Sequence, residues 1–148
     1  MKRFAGLFWL GLLVASGPVA RAADFTYAAL NGSWQVTGVA VRDTPSGIQA
    51  LVDNDPQYMG AVISFQPDKI IWLQGTKTRP IDPSIDDCPQ APKLTPAAHN
   101  SDDDGGPVPG GYNIICGSDA WGIVVPVSAD RIKIYYLDNG ILTLQREK

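Results

Sequence analysis

From residue 33 onward the apolar residues arrive in short runs, cut apart by Gly, Pro, Asn and Asp. Residues 33–42 (SWQVTGVAVR) are rich in β-branched side chains and alternate in polarity, as a half-buried strand requires. The phase breaks at Gly38. Trp34 and Val36 share one face, whereas Val39 and Val41 have the other parity, which predicts a bulge or bend. Residues 59–65 and 70–73 read as two strands joined by Gln66-Pro67-Asp68-Lys69, a hairpin connection. Further strands are expected over 112–116, 121–127, 131–137 and 141–146. Between the last two, Asn139-Gly140 asks for a type I′ turn, which sets Leu137 opposite Leu142 and Tyr135 opposite Leu144. At most one helical turn is expected, around Ile48 to Val52, and no internal repeat is present. Seven or eight short strands without a helix make an all-β domain, either a sandwich or a small closed barrel.

Composition agrees. Glu147 is the only Glu, Lys is scarce, and the chain holds 15 Gly and 12 Pro, so helix formers are few. The chain opens with Met1-Lys2-Arg3, then an apolar stretch from Phe4 to Ala15, then Ala20-Arg21-Ala22. A basic start, a short apolar core and an A-x-A site describe a secretory signal peptide over residues 1–22, with one domain over 23–148. The apolar stretch is shorter than the roughly 20 residues that a membrane helix needs. No membrane span is expected, and the predicted location is the periplasm or the secreted medium. Loss of Lys2, Arg3 and Arg21 from 12 basic residues leaves 9 against 15 acids, a net charge of −6. Such a balance disfavours nucleic acid as a partner.

Cys88 and Cys116, in a chain read as exported, predict a disulfide bond. Around the first cysteine the sequence changes character. Residues 76–111 carry Pro80, Pro83, Pro89, Pro92, Pro96, Pro107 and Pro109, with Asp102-Asp103-Asp104-Gly105-Gly106 among them. This is read as a long Pro/Asp-rich loop, tied down by Cys88 and free of regular pairing over residues 91–111.

Asn31-Gly32-Ser33-Trp34 places a G-x-W at the start of the first strand, and Arg146 lies near the end of the last. This resembles the calycin barrels: the lipocalins, fatty-acid-binding proteins, avidins and small bacterial protease inhibitors. The resemblance implies a small antiparallel up-and-down β-barrel in which Gly32, Trp34 and Arg146 close one mouth, the guanidinium packed on the indole. The sequence from Leu30 to Leu73 is also similar, more faintly, to an uncharacterised exported proteobacterial domain that is sometimes followed by a lysozyme-inhibitor-like module.

The chemistry-bearing residues do not assemble into a catalytic set. His99, the single histidine, falls in the Pro/Asp-rich loop without an orienting acid, and the cysteines are consumed by the disulfide. Asp86-Asp87 reads as a solvated surface pair. Asp102, Asp103 and Asp104 lack the spacing of an EF-hand, so no metal or other cofactor is expected. The chain is read as a non-enzymatic binding protein. The favoured partner is a protein, a hydrolase such as a lysozyme or protease, inhibited by contact with an acidic, Pro-stiffened loop. The alternative is a lipocalin-like carrier of a small apolar ligand, with Val36, Phe65, Tyr135, Leu142 and Leu144 lining the cavity. An envelope structural or assembly domain is a third. Ile70-Ile71-Trp72-Leu73 is apolar on both faces, which requires either cover from the loop or a partner on the outside, with Trp72 a candidate for contact.

Overall fold

The strand signals resolve into eight antiparallel strands in a computed structural model, which describes residues 25–42, 50–74, 82, 86–97, 108–137 and 139–148. They are β1 (Gly32–Val41), β2 (Val62–Gln66), β3 (Lys69–Gln74), β4 (Lys93–Pro96), β5 (Tyr112–Cys116), β6 (Asp119–Ser128), β7 (Arg131–Tyr136) and β8 (Gly140–Arg146). All lie in one curled sheet in the order β3-β2-β1-β8-β7-β6-β5-β4. This is an up-and-down order in one curled sheet, with β8 returning beside β1 and β3 and β4 as its two edges. The fold is therefore all-β, as the alternation requires. A single 3-10 turn, Tyr27–Leu30, precedes β1. The signal-peptide reading of residues 1–22 lies outside the described residues, as do Ile48 and Gln49 of the expected helical turn, whose described residues 50–52 are not helical.

The phase break in β1 is a register shift against β8 between Val36 and Gly38. It turns Val39 back toward the interior, so Trp34, Val36 and Val39 are all buried despite their opposite parities.

The β7–β8 hairpin corrects the expected register. Tyr136 pairs with Gly140, Ile134 with Leu142 and Ile132 with Leu144, so Tyr135 faces Ile141 and Leu137 leaves the ladder. Leu137 and Asn139 both take positive φ, 48° and 65°, in a loop one residue longer than the two-residue turn that Asn-Gly favours. The reason lies in burial. This register sends Ile132, Ile134, Tyr136, Leu142 and Leu144 to the interior together, whereas the register set by the turn would have put three of them in water. Strand burial outweighs turn chemistry.

The expectation that residues 91–111 lack pairing is also corrected. Lys93–Pro96 form β4 against β5, and the Ala97 N–H continues the ladder to the Gly111 carbonyl at 3.0 Å. Pro96 is tolerated because β4 is the edge of the sheet, where a missing N–H breaks no central ladder. The two ends of the loop, Ala97 and Val108, pack on Ile123, with Val125 and Tyr135 beside them, and cover the outer face of β6 and β7. Leu73 on β3 is not in that cluster and stays 52 % exposed.

This register is open to a direct check. Tyr136 is 2 % exposed and Tyr135 is half-buried on the opposite face. Tyr136→Ala is expected to cost about 3–5 kcal/mol in urea unfolding, and Tyr135→Ala about 1 kcal/mol. The Asn-Gly turn register predicts the reverse ranking.

Candidate functional site

Two side-chain constellations hold this sheet in shape, one at the start of β1 and one across the gap between β3 and β4. At the first, the Trp34 indole N–H donates to the Leu30 carbonyl at 2.6 Å, which fixes the 3-10 turn under the sheet with Leu30 fully buried. Arg146 pairs with Trp34 across β1 and β8, and its guanidinium carbon lies 4.1 Å from the centre of the Trp34 ring. Its Nη1 donates to Asn31 O at 2.7 Å and its Nη2 to Ala29 O at 2.6 Å, satisfying carbonyls at the end of the 3-10 turn. Asp130 lies 3.6 Å from Nε. Gly32 has φ +117°, and a Cβ there would stand 3.3 Å from Arg146 Nη1, so the glycine serves both the backbone turn and the close approach of the guanidinium. Arg146→Ala is expected to lower stability by about 1–3 kcal/mol in denaturant titration, through lost stacking and charge-assisted hydrogen bonds. Lys148→Ala, on the exposed tail, should change it by less than about 0.5 kcal/mol.

The second constellation is the one that the sequence conceals. Residues 86–90 cross the gap between β3 and β4. Cys88 and Ile70 exchange two backbone hydrogen bonds of 2.8 Å, an isolated bridge on the edge of β3. On the other side Cys88 is bonded to Cys116 at the end of β5. Asp86 is helical, its backbone N–H donating to the Asp82 carbonyl four residues back at 2.8 Å, and it stands just before the fully buried Cys88. Asp86 is 3 % exposed, which corrects its reading as a solvated residue. Its backbone carbonyl accepts the indole N–H of Trp72 at 3.1 Å and that of Trp121 at 2.7 Å. Its carboxylate accepts the Tyr136 hydroxyl at 2.6 Å and the Tyr58 hydroxyl at 3.4 Å on Oδ1, and the Asp82 N–H at 2.9 Å on Oδ2. The half-buried Asp87 accepts the Trp72 backbone N–H on its carboxylate at 2.8 Å.

The four rings also touch one another. Tyr136 lies 5.2 Å from Trp121, 5.8 Å from Trp72 and 5.9 Å from Tyr58, in tilted or edge-on pairs that aromatic quadrupoles favour. Burial, and then the hydrogen bond to Asp86, raise the pKa of the Tyr136 hydroxyl above its ordinary value, so it remains a donor. The chemistry available to this arrangement is holding: each Asp86 oxygen faces donors of the chain itself. Among the described residues no group of three His, Cys, Asp or Glu is placed to bind a metal ion.

Two sums of similar size meet in this strap. The bonds joining residues 86–88 to Ile70, Trp72, Trp121, Tyr58 and Tyr136 are worth on the order of 7 kcal/mol at about 1 kcal/mol each. Fixing the backbone of residues 86–90 costs on the order of 5–10 kcal/mol. The disulfide, closing a separation of 28 residues, adds about 3–4 kcal/mol by restricting the unfolded chain, and so tips the balance.

Of the other residues singled out in the sequence, Val36, Phe65, Leu142 and Leu144 sit together in the main buried cluster. Trp72 is in that cluster as well, facing inward to Asp86 rather than outward. Tyr135 corrects its expected place among the lining residues: it lies in the outer cluster, with the Arg42 guanidinium 5.6 Å from its ring. Asp102, Asp103, Asp104 and His99 lie outside the described residues. Tyr58, Trp121 and Asp86 are brought together by the fold from distant positions, and no local signal in the sequence joins them. No family model, no curated protein and no solved structure matches this chain.

Asp86→Ala would remove the carboxylate that accepts the buried Tyr136 hydroxyl at 2.6 Å. A loss of about 2–4 kcal/mol is expected in urea unfolding. Asp68→Ala, in the exposed β2–β3 turn, should cost less than about 0.5 kcal/mol.

Proposed function

We propose that this is an exported, non-enzymatic binding protein of calycin-like build that acts as a periplasmic inhibitor of a hydrolase, a lysozyme or a protease, through protein–protein contact. The observation that carries the reading is the packing of the expected lining residues against one another. Val36, Phe65, Leu142 and Leu144 pack into one buried cluster, and the ring of Tyr58, Trp72, Trp121 and Tyr136 is occupied by the chain's own Asp86. A carrier of a small apolar ligand would need those side chains to line a cavity, so recognition by the outer surface is favoured.

Other features support the same reading. Arg146 stacked on Trp34 and the up-and-down strand order fit the calycin resemblance. The Cys88–Cys116 disulfide suits an oxidising compartment. Among the described residues no helix is long and apolar enough to cross a membrane. With residues 1–22 removed, 9 basic residues face 15 acids, a charge that attracts a basic enzyme and steers its approach. The acidic stretch Asp102-Asp103-Asp104 follows Ala97, which is packed on the outer face of β6.

The test is a panel of lysozymes and proteases titrated with the purified mature domain. Inhibition or binding of at least one enzyme is expected, weakening about tenfold or more between low and high salt. Absence of both inhibition and binding across the panel would overturn the reading. Salt-insensitive binding would overturn the electrostatic part of it.

A further inference from the structure

Residues 86–90 belong to none of the named strand pairings of the sheet, yet they link the β3 edge to β5. Every ladder from β3 around to β4 is made without them. Their hold on β3 is non-covalent, through hydrogen bonds and the packing of Cys88, whereas their hold on β5 is covalent. Such a segment can leave without breaking any strand–strand pairing. Its own bonds and its ordering cost are nearly balanced, as set out above.

We propose that the Cys88–Cys116 bond is a redox latch, whose reduction by a dithiol lets residues 86–90 lift out of the seam while the eight-stranded sheet stays folded. Attack falls on the Cys116 sulfur, since Cys116 is half-exposed and Cys88 fully buried. A thiolate of the dithiol bonds to Cys116 Sγ, the Sγ–Sγ bond breaks, and Cys88 leaves as a thiolate that takes up a proton. The second thiol of the reductant, as its thiolate, then attacks the mixed disulfide, and Cys116 leaves as a thiolate that is protonated in turn. The protein gains two electrons and two protons, and the dithiol becomes a disulfide. Release uncovers the Trp72 and Trp121 indole N–H groups, the Tyr136 hydroxyl and the backbone edge of β3 at Ile70 and Trp72, all now engaged by the strap. The latch is independent of which partner the outer surface binds.

Amide exchange by NMR on the purified chain, before and after dithiothreitol, tests this. In the reduced protein the amides of Ile70, Trp72 and Cys88 are expected to exchange at least about 100-fold faster than those of Val36 and Leu144, at the centre of the sheet. Reoxidation should restore them. The Cys88→Ser/Cys116→Ser double variant should show the same split without reductant, which separates the latch from any side effect of the reagent. Uniform loss of protection, Val36 and Leu144 included, would mean that the chain unfolds as one unit and would overturn the proposal. So would Ile70 and Cys88 amides that stay as protected, relative to Val36, as in the oxidised protein.

Discussion

A carboxylate removed from water is tolerable only where the protein supplies its hydrogen bonds, and Asp86 is the residue on which the closing of this sheet's seam depends. Tyr136 and Tyr58 donate to one oxygen, the Asp82 N–H donates to the other, and two indoles donate to its main-chain carbonyl. These donors come from β3, β6, β7, residue 82 and the segment before β2. One residue thus ties together regions that the strand order leaves far apart. The need for it comes from topology. A sheet that runs up and down but does not pair β3 with β4 has two edges, and an exposed edge is a template for unwanted pairing. Cys88 covers the edge of β3 at Ile70, Asp87 caps the next available N–H at Trp72, and Pro96 lies within β4 itself.

The start of β1 is secured by different means. There the guanidinium of Arg146 binds the carbonyls of Ala29 and Asn31 while lying on Trp34, which itself holds Leu30. Tyr136 lies at the hairpin end of β7, opposite Gly140, whereas Arg146 lies at the far end of β8. The two constellations share the β7–β8 pair and otherwise involve separate residues. One stitches chain ends together by stacking and charge-assisted hydrogen bonds. The other closes a seam with a buried carboxylate and a disulfide.

Much of this was legible in the sequence, for identifiable reasons. Period-two alternation and turn residues located all of the strands except β4, because half-buried strands must show that pattern. The break at Gly38 announced the β1 bulge, and two cysteines in a chain read as exported announced the disulfide. The strand β4 was concealed because Pro92 precedes it and Pro96 lies within it, and proline is compatible with an edge. The hairpin register was misread because Asn139-Gly140 is a strong local signal, whereas the burial of Ile132, Ile134 and Tyr136 is a property of the whole sheet. Asp86 was concealed for the same kind of reason. Two adjacent acids in a Pro-rich stretch read as solvated, because the donors that satisfy Asp86 lie far off in sequence, at Tyr58, Trp121 and Tyr136.

The claim on which this account rests is that Asp86 closes the seam through the aromatic hydroxyls that it accepts, and a double-mutant cycle measures that coupling directly. Asp86→Ala, Tyr136→Phe and the double variant would be unfolded in urea alongside the parent protein. Because the 2.6 Å hydrogen bond is removed by either change alone, the two costs should fall short of adding, with a coupling of about 1.5 kcal/mol or more. Costs that add to within about 0.5 kcal/mol would show that Asp86 and Tyr136 act independently, and would contradict the account.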